Sequence, residues 1–254
     1  AVFMPGLSGG FIFDDFPNLA LLDMLPAEPD WEQILTLSRN GIAGVTGRPL
    51  AMVSLLLQAD SWPGDASAFK RVNLLLHLLN GVLVMGFLAL LGANDRRFRL
   101  QPVFAGLVVL VWLLHPIQVS SVLYVVQRMN LLSAGFVLLG LVGYLWARLR
   151  YLQRARLRYL TAMVALPVLA TLPGVLAKEN ALLLFAYLAV IELVVERPTH
   201  SDRRFLLARA LAVGLPLTII LLGGLLALPD LLSGYEQKPF TLRSPHEFSL
   251  QENQ

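Results

Sequence analysis

The sequence predicts an all-α, polytopic membrane protein, and three observations lead there. Its 254 residues are 56% hydrophobic with a mean hydropathy of +0.66, more apolar surface than one soluble core buries. The apolar residues fall in blocks such as Phe69 to Leu91, roughly the 20 residues a helix needs to cross a bilayer core. These blocks are unbroken and lack the period-2 alternation of a transmembrane strand. That excludes a barrel and leaves helices, the other structure that satisfies its own backbone inside lipid.

Six spans are expected, at residues 69–91, 103–115, 130–147, 159–173, 181–196 and 205–228, in a single transmembrane domain over 1–254. A loop segment at 8–67 precedes them and a polar tail at 229–254 follows. Ala1 to Leu7 is apolar but too brief to span, and reads as the end of a helix begun upstream, so the chain is expected to be a piece of a longer one. No internal repeat is present.

Within the loop segment, Asp30 and Gln33 form a capping-box pattern that predicts a short helix with Trp31, Ile34 and Leu35 on one side, ended by Asn40-Gly41. Pro49 opens a second, to about Gln58, with Leu50, Val53 and Leu57 along one stripe. Both are expected to lie on the membrane surface above the pair Asp14-Asp15. In the first span, capped by Asp65 or Ser67, the residues Lys70, Asn73, His77 and Asn80 are spaced three, four and three and share one face. Asn73 and Asn80 suit interhelical hydrogen bonds; Lys70 and His77 suit either those or an anionic ligand. Pro116 breaks the second block after His115, and Gln118, Ser121 and Arg128 are expected along one continuing face. Pro173-Gly174 predicts a bend before Lys178-Glu179-Asn180.

Charge gives orientation. The 20 Lys and Arg exceed the 17 Asp and Glu, and the excess sits in short loops at 94–99, 148–158 and 197–209, which alternate with loops poor in Lys and Arg. All three can be cytoplasmic at once, a membrane pattern and not a nucleic-acid surface. The absence of cysteine excludes disulfides, thiolate catalysis and Cys-ligated metals. No P-loop, His-Glu-x-x-His or Gly-x-Ser-x-Gly motif is present, which argues against ATP-driven and familiar hydrolase chemistry.

That orientation places Asp14, Asp15, Arg48, Lys70, His115, Arg128, Lys178 and Glu179 on one non-cytoplasmic face. Two carboxylates near several cations suit a reaction in which a base deprotonates an acceptor while cations hold an anionic leaving group. A phosphate-bearing lipid fits, because its head lies at the interface where Arg and Lys pair its oxygens. The Asp pair would also suit Mg²⁺ or Mn²⁺, on the weak ground of two oxygen ligands. Plainer readings stand beside these: Asp14 and Asp15 capping a turn before Pro17, Arg48 as an interfacial anchor, Glu179 as an ion-pair partner.

Five motifs occur in an order that resembles one group: Phe11-Ile12-Phe13-Asp14-Asp15-Phe16-Pro17-Asn18; Gly47-Arg48-Pro49-Leu50; Arg71 to Asn80; His115-Pro116-Ile117-Gln118 with Gln127-Arg128; and Lys178-Glu179-Asn180. The chain resembles the membrane domain of the transmembrane and tetratricopeptide-repeat glycosyltransferases of the GT-C superfamily, including their bacterial relatives. The resemblance implies a GT-C-like helix bundle with short external juxtamembrane helices. It implies an enzyme that moves a sugar from a polyprenyl-phosphate donor to a protein or other acceptor, at a bacterial inner membrane with its site facing the periplasm. It also implies roles: Asp14 or Asp15 as base or metal ligand; Arg48, Lys70, His115, Arg128 and Lys178 on the donor phosphate; Glu179 and His77 orienting these groups or meeting acceptor. The chain departs from the group in carrying no tetratricopeptide repeat after its last span, which leaves the acceptor open. Two other classes compete. One is a transporter or flippase with Lys70, His77 and Glu192 along a pathway; the other is a non-catalytic scaffold whose external helices dock a partner.

Overall fold

A computed structural model describes residues 2–26, 28–44, 46–195 and 203–236, with side chains described to residue 226. It is an all-α membrane protein, with no strand among the described residues. Four short helices come first: α1 (Met4–Leu7), α2 (Asp15–Leu19), α3 (Trp31–Ser38) and α4 (Pro49–Leu56). Then follow α5 (Ala66–Asn94), α6 (Pro102–Leu114), α7 (Gln118–Leu123), α8 (Arg128–Arg154), α9 (Leu157–Ala177) and α10 (Leu183–Val194). Finally α11 (Arg203–Arg209) leads through a π-turn, Ala210–Gly214, into α12 (Leu215–Glu236). The chain divides into two units, residues 1–215 and 216–254; the second, as far as it is described, is the single helix α12.

Four helical segments are long and apolar enough to cross a bilayer: Ala66–Asn94, Val125–Arg154, Leu157–Ala177 and Arg203–Leu226. The stretches read as spans at 103–115 and 181–196 contain helices of only 13 and 12 residues, about 20 Å each against the ~30 Å of a bilayer core. Toward the end of the chain α12 passes Pro229 and continues to Glu236. The rest of the polar tail, and Glu196-Arg197-Pro198, lie outside the described residues.

Local chemistry explains the loop helices. Asp30 caps α3 by accepting from the Gln33 backbone N–H while the Gln33 side chain accepts from Asp30 N, a complete capping box. Asp65 caps α5 through the Ser67 backbone N–H. The buried faces differ from the stripes read in sequence. On α4, Ala51, Met52, Leu55 and Leu56 are buried while Leu57 is exposed; on α3, Ile34 is buried while Trp31 and Leu35 are exposed. Seven of the eight α4 residues are apolar or proline, so periodicity had no polar face to read against. Leu19, Leu22, Met52 and Leu55 join Phe69, Val125 and Met129 in one apolar core. The loop segment is therefore packed onto the ends of α5 and α8 and does not merely roof them.

Polar side chains then fasten the span helices to one another. Lys70, Asn73, His77 and Asn80 are all buried on α5. Asn73 Nδ2 donates to the carbonyls of Tyr124 and Val125 at 3.2 and 3.3 Å, and Asn80 Nδ2 donates to Leu131 O on α8 at 2.9 Å. At the opposite ends of the helices, Glu192 of α10 accepts from Arg148 Nε at 3.0 Å and from the Tyr144 hydroxyl at 2.8 Å, and pairs with Arg209. Arg148, read in sequence as part of a basic loop, is thus inside the bundle, because α8 extends to Arg154.

Two further expectations are corrected. Helix α9 runs through Pro167 and Pro173 to Ala177, past the span end expected at residue 173; packed membrane helices tolerate the missing backbone bond. The face expected to run from Gln118 to Arg128 is interrupted, since Tyr124 is extended (φ −97°, ψ 115°) and the chain turns there.

Asn73 is the test of this polar fastening. Asn73→Leu would strand two carbonyls and an Arg128 N–H in the interior, at about 3 kcal/mol or more. The thermal unfolding temperature in detergent is expected to fall steeply, whereas Leu75→Ala, at an exposed position of the same helix, leaves it nearly unchanged.

Candidate active site

The two adjacent aspartates have opposite surroundings. Asp15 is the first residue of α2 and is fully buried. Its Oδ2 accepts from Ile12 N at 3.0 Å and its Oδ1 from Val126 N at 2.9 Å, so it ties its own loop to the turn between α7 and α8. Burial pushes its carboxyl above the usual range, against the lowering pull of those amides and of Lys70. Asp14 is exposed, and its backbone N–H donates to the Tyr124 hydroxyl at 2.8 Å. The Tyr124 phenol is raised above its ordinary range, first by burial and then by the charges of Asp14 and Asp15. Its hydroxyl holds Asp14 by the backbone N–H. Phe13, just ahead, is a non-glycine residue in the left-handed region (φ 45°) with its ring exposed.

The cations sort into three settings. Lys70 and Arg128 are buried and committed internally. Lys70 Nζ donates to the carbonyls of Gly6, Gly9 and Gly10 at 3.3, 2.6 and 3.1 Å, holding the glycine stretch that leads to Asp14. Arg128 donates to Asn73 Oδ1 at 2.9 Å, Ser54 O at 2.7 Å and Phe69 O at 2.9 Å, with its guanidinium over the Phe69 ring.

Arg48 and Lys178 form the second setting with Glu179. Arg48 Nη2 lies 3.1 Å and Nε 3.2 Å from Glu179 Oε2, and Nη1 reaches Met129 Sδ at 3.3 Å. Thr46 Oγ1 donates to Glu179 Oε1 at 3.3 Å. Burial works to raise the Glu179 carboxyl but is outweighed by its own backbone N–H, Arg48 and Thr46, and the net shift is downward. Lys178 is half-buried and its ammonium is lowered, first by burial and then by the neighbouring Arg48 charge. The loop passes over this ion pair only because Gly44 (φ +70°) lacks a side chain: a Cβ there would sit 2.3 Å from Glu179 Oε1. Arg48 itself is left-handed (φ 52°) ahead of Pro49. Phe13 and Arg48 thus flank or form the candidate site; Ala155, the third such non-glycine residue, closes the α8–α9 turn.

His77 and His115, the histidines among the candidate site residues, form the third setting. His115 is exposed at the end of α6 and accepts from Ile117 N at 3.2 Å within its own corner; no described contact joins it to the aspartates or to Lys178. His77 is buried between Phe3 and Trp112, with Nε2 on Leu113 O at 2.9 Å. The structure also separates Lys70 and His77 from Glu192, whose partners are Arg148, Arg209 and Tyr144.

One element joins the aspartates to the Arg48 group. Residues 124–129 present Tyr124 to Asp14, Val126 N to Asp15 and Met129 to Arg48. Tyr124 was missed by sequence reasoning, and its signal was only its place between the His115 and Arg128 motifs. Beside Lys178 lies a groove of about 410 Å³ between α5, α6, α8 and α10, lined by Asn130, Ser133 and Asn180 near that corner and by Val137, Leu141 and Trp112 elsewhere. Ser133 Oγ donates to Lys178 O at 3.3 Å. Both Asp15 oxygens accept from backbone N–H donors while Asp14 faces solvent, and no three His, Asp or Glu side chains converge among the described residues.

The chain is similar to human protein O-mannosyl-transferase TMTC4, with 28% identity over 224 residues. The matched region covers 79% of this chain and 30% of the relative, so the chain spans under a third of that protein's length. No protein-family model matches the chain, and no solved structure matches it.

The unequal aspartates give a direct test. Asp15→Asn replaces one acceptor by a donor that faces a backbone N–H, at about 1–3 kcal/mol. A lowered unfolding temperature is expected for Asp15→Asn and a wild-type one for Asp14→Asn; equal values would show that Asp15 does not hold the loop.

Proposed function

We propose that this chain is the membrane part of a glycosyltransferase that uses a polyprenyl-phosphate-linked sugar and transfers it to a protein hydroxyl on the face opposite the arginine-rich loops. The name of the human relative makes mannose the first sugar to test. One observation supports the reading: the 124–129 turn contacts the exposed Asp14 through the Tyr124 hydroxyl and Arg48 through Met129, and Arg48 in turn neighbours Lys178.

In this reading Asp14 is the base and Asp15 the positioning residue. Asp14 takes the proton of the acceptor hydroxyl as that oxygen bonds to the anomeric carbon. The bond from that carbon to the phosphate oxygen breaks, and its electron pair leaves with the lipid phosphate. Lys178 meets the phosphate, since none of the described hydrogen bonds uses its Nζ, while Arg48 adds its charge from the Glu179 pair. Single displacement inverts the anomeric centre. The groove of about 410 Å³ below Asn180 takes the first isoprene units, polar at the phosphate end and apolar along the chain. His77 supports its wall through Trp112. Arg128 and Lys70 position the site and do not touch the donor.

Purified protein given a labelled polyprenyl-phosphate sugar and an acceptor protein tests the scheme. Asp14→Asn is expected to lower kcat by about 10²-fold or more without loss of fold, and Lys178→Gln to raise KM for the lipid donor. Transfer undiminished in Asp14→Asn would overturn the assignment of the base.

A further inference from the structure

A sizeable groove lies away from the aspartates. It is an open groove of about 780 Å³ between α9 and α11, lined by Leu157, Leu160, Val164, Val168, Leu207 and Leu211 among others. Both helices enter it from the same end, α9 at Leu157 and α11 at Arg203, since Phe205 of α11 stacks on Tyr151, in the last turn of α8 just before α9 begins. That end is opposite Lys178, which follows the last residue of α9.

Two quantities say what fits. From Leu157 to Val168 the groove follows 11 helical steps, about 16 Å at 1.5 Å per residue. That is the hydrocarbon depth of one leaflet, half of the ~30 Å core. The entrance is cationic: Arg204 lines the groove, and Arg154, Arg156, Arg158 and Arg203 are exposed around it. Arg158 Nη2 donates to the Tyr159 hydroxyl at 2.9 Å and its guanidinium lies over that ring, which fixes it at the start of α9. No acidic residue occurs within 148–168 or 203–215; Asp202 lies outside the described residues. The interior offers an acyl chain largely apolar walls, and the mouth offers its headgroup several arginines that form no ion pair among the described residues.

We propose that the α9–α11 groove is a binding site for an anionic phospholipid, with one acyl chain along Leu160 to Val168 and its headgroup phosphate between Arg204 and Arg158. A zwitterionic lipid presents the same chain but a neutral head, and loses the attraction that arginines at a membrane surface give an anionic one. The site is distinct from the donor groove beside Lys178 and does not depend on the transferase reading.

The experiment is native mass spectrometry of the purified protein released from nanodiscs of phosphatidylglycerol and phosphatidylcholine in equal amounts. The wild type is expected to retain phosphatidylglycerol about tenfold over phosphatidylcholine. Arg204→Gln combined with Arg158→Gln is expected to bring the two lipids to parity. Ala165→Trp, which fills the groove, is expected to abolish retention, while Leu169→Trp, at an exposed position of α9 outside the lining, preserves it. Equal retention of the two lipids by the wild type, a preference that survives both arginine replacements, or retention unaffected by Ala165→Trp would each overturn the site.

Discussion

The Arg128 guanidinium is the constraint on which the rest of the structure depends. It is fully buried, and its described partners are neutral: an Asn73 amide oxygen and the carbonyls of Ser54 and Phe69. A buried cation is tolerable only when its donors are satisfied together, so α4, α5 and α8 must meet at one point with little freedom. Asn73 passes the constraint on, since its oxygen serves Arg128 while its Nδ2 holds the carbonyls of Tyr124 and Val125. The turn that carries Tyr124 and Val126 is fixed in this way before either touches an aspartate.

The same logic explains why two carboxylates that are neighbours in sequence have different environments. Asp15 starts a helix whose inner side packs Leu19 into the apolar core, so it must point inward, where the amides of Ile12, Val125 and Val126 and the nearby charge of Lys70 compensate it. One residue earlier the chain is outside the helix, and the left-handed Phe13 turns Asp14 to the surface. Left-handed backbone at a non-glycine residue costs roughly 1–2 kcal/mol, and here it separates a residue that builds the loop from one that faces solvent.

Much of this was legible in the sequence. The helix class followed from block length, the α3 start from Asp30 and Gln33, and the buried face of α5 from the three, four, three spacing of Lys70, Asn73, His77 and Asn80. The motifs also named Asp14, Arg48, Lys178 and Glu179, which the structure brings to the two sides of the 124–129 turn. What sequence could not provide was depth. Spacing assigns a cation to a face but not to a partner, so Arg128 and Lys70 read like phosphate ligands although backbone carbonyls use their donors. Arg148 read like a loop charge because its partner Glu192 is 44 residues away. Uniformly apolar α4 hid its inner face, and His115 shared a membrane side with the aspartates without any contact that joins them.

Donor inventory separates groups that position from groups that react, and it does so without reference to any relative. Lys70 has three N–H donors and three carbonyls to receive them; a substrate phosphate would have to displace one, leaving a buried carbonyl bare. Arg128 has an acceptor at each of its three nitrogens, which takes three of its five N–H donors. Arg48 is partly committed, with Glu179 and Met129 on its guanidinium but a side chain still 18% exposed. Lys178 is half-buried, pressed by the Arg48 charge, and no described hydrogen bond uses its ammonium. An ammonium held beside a like charge gains most from an arriving anion, because the anion relieves repulsion as well as supplying a partner. Of these four cations Lys178 is therefore the one whose charge is least compensated, while Lys70 and Arg128 fix the glycine stretch ahead of Asp14 and the junction of α4, α5 and α8.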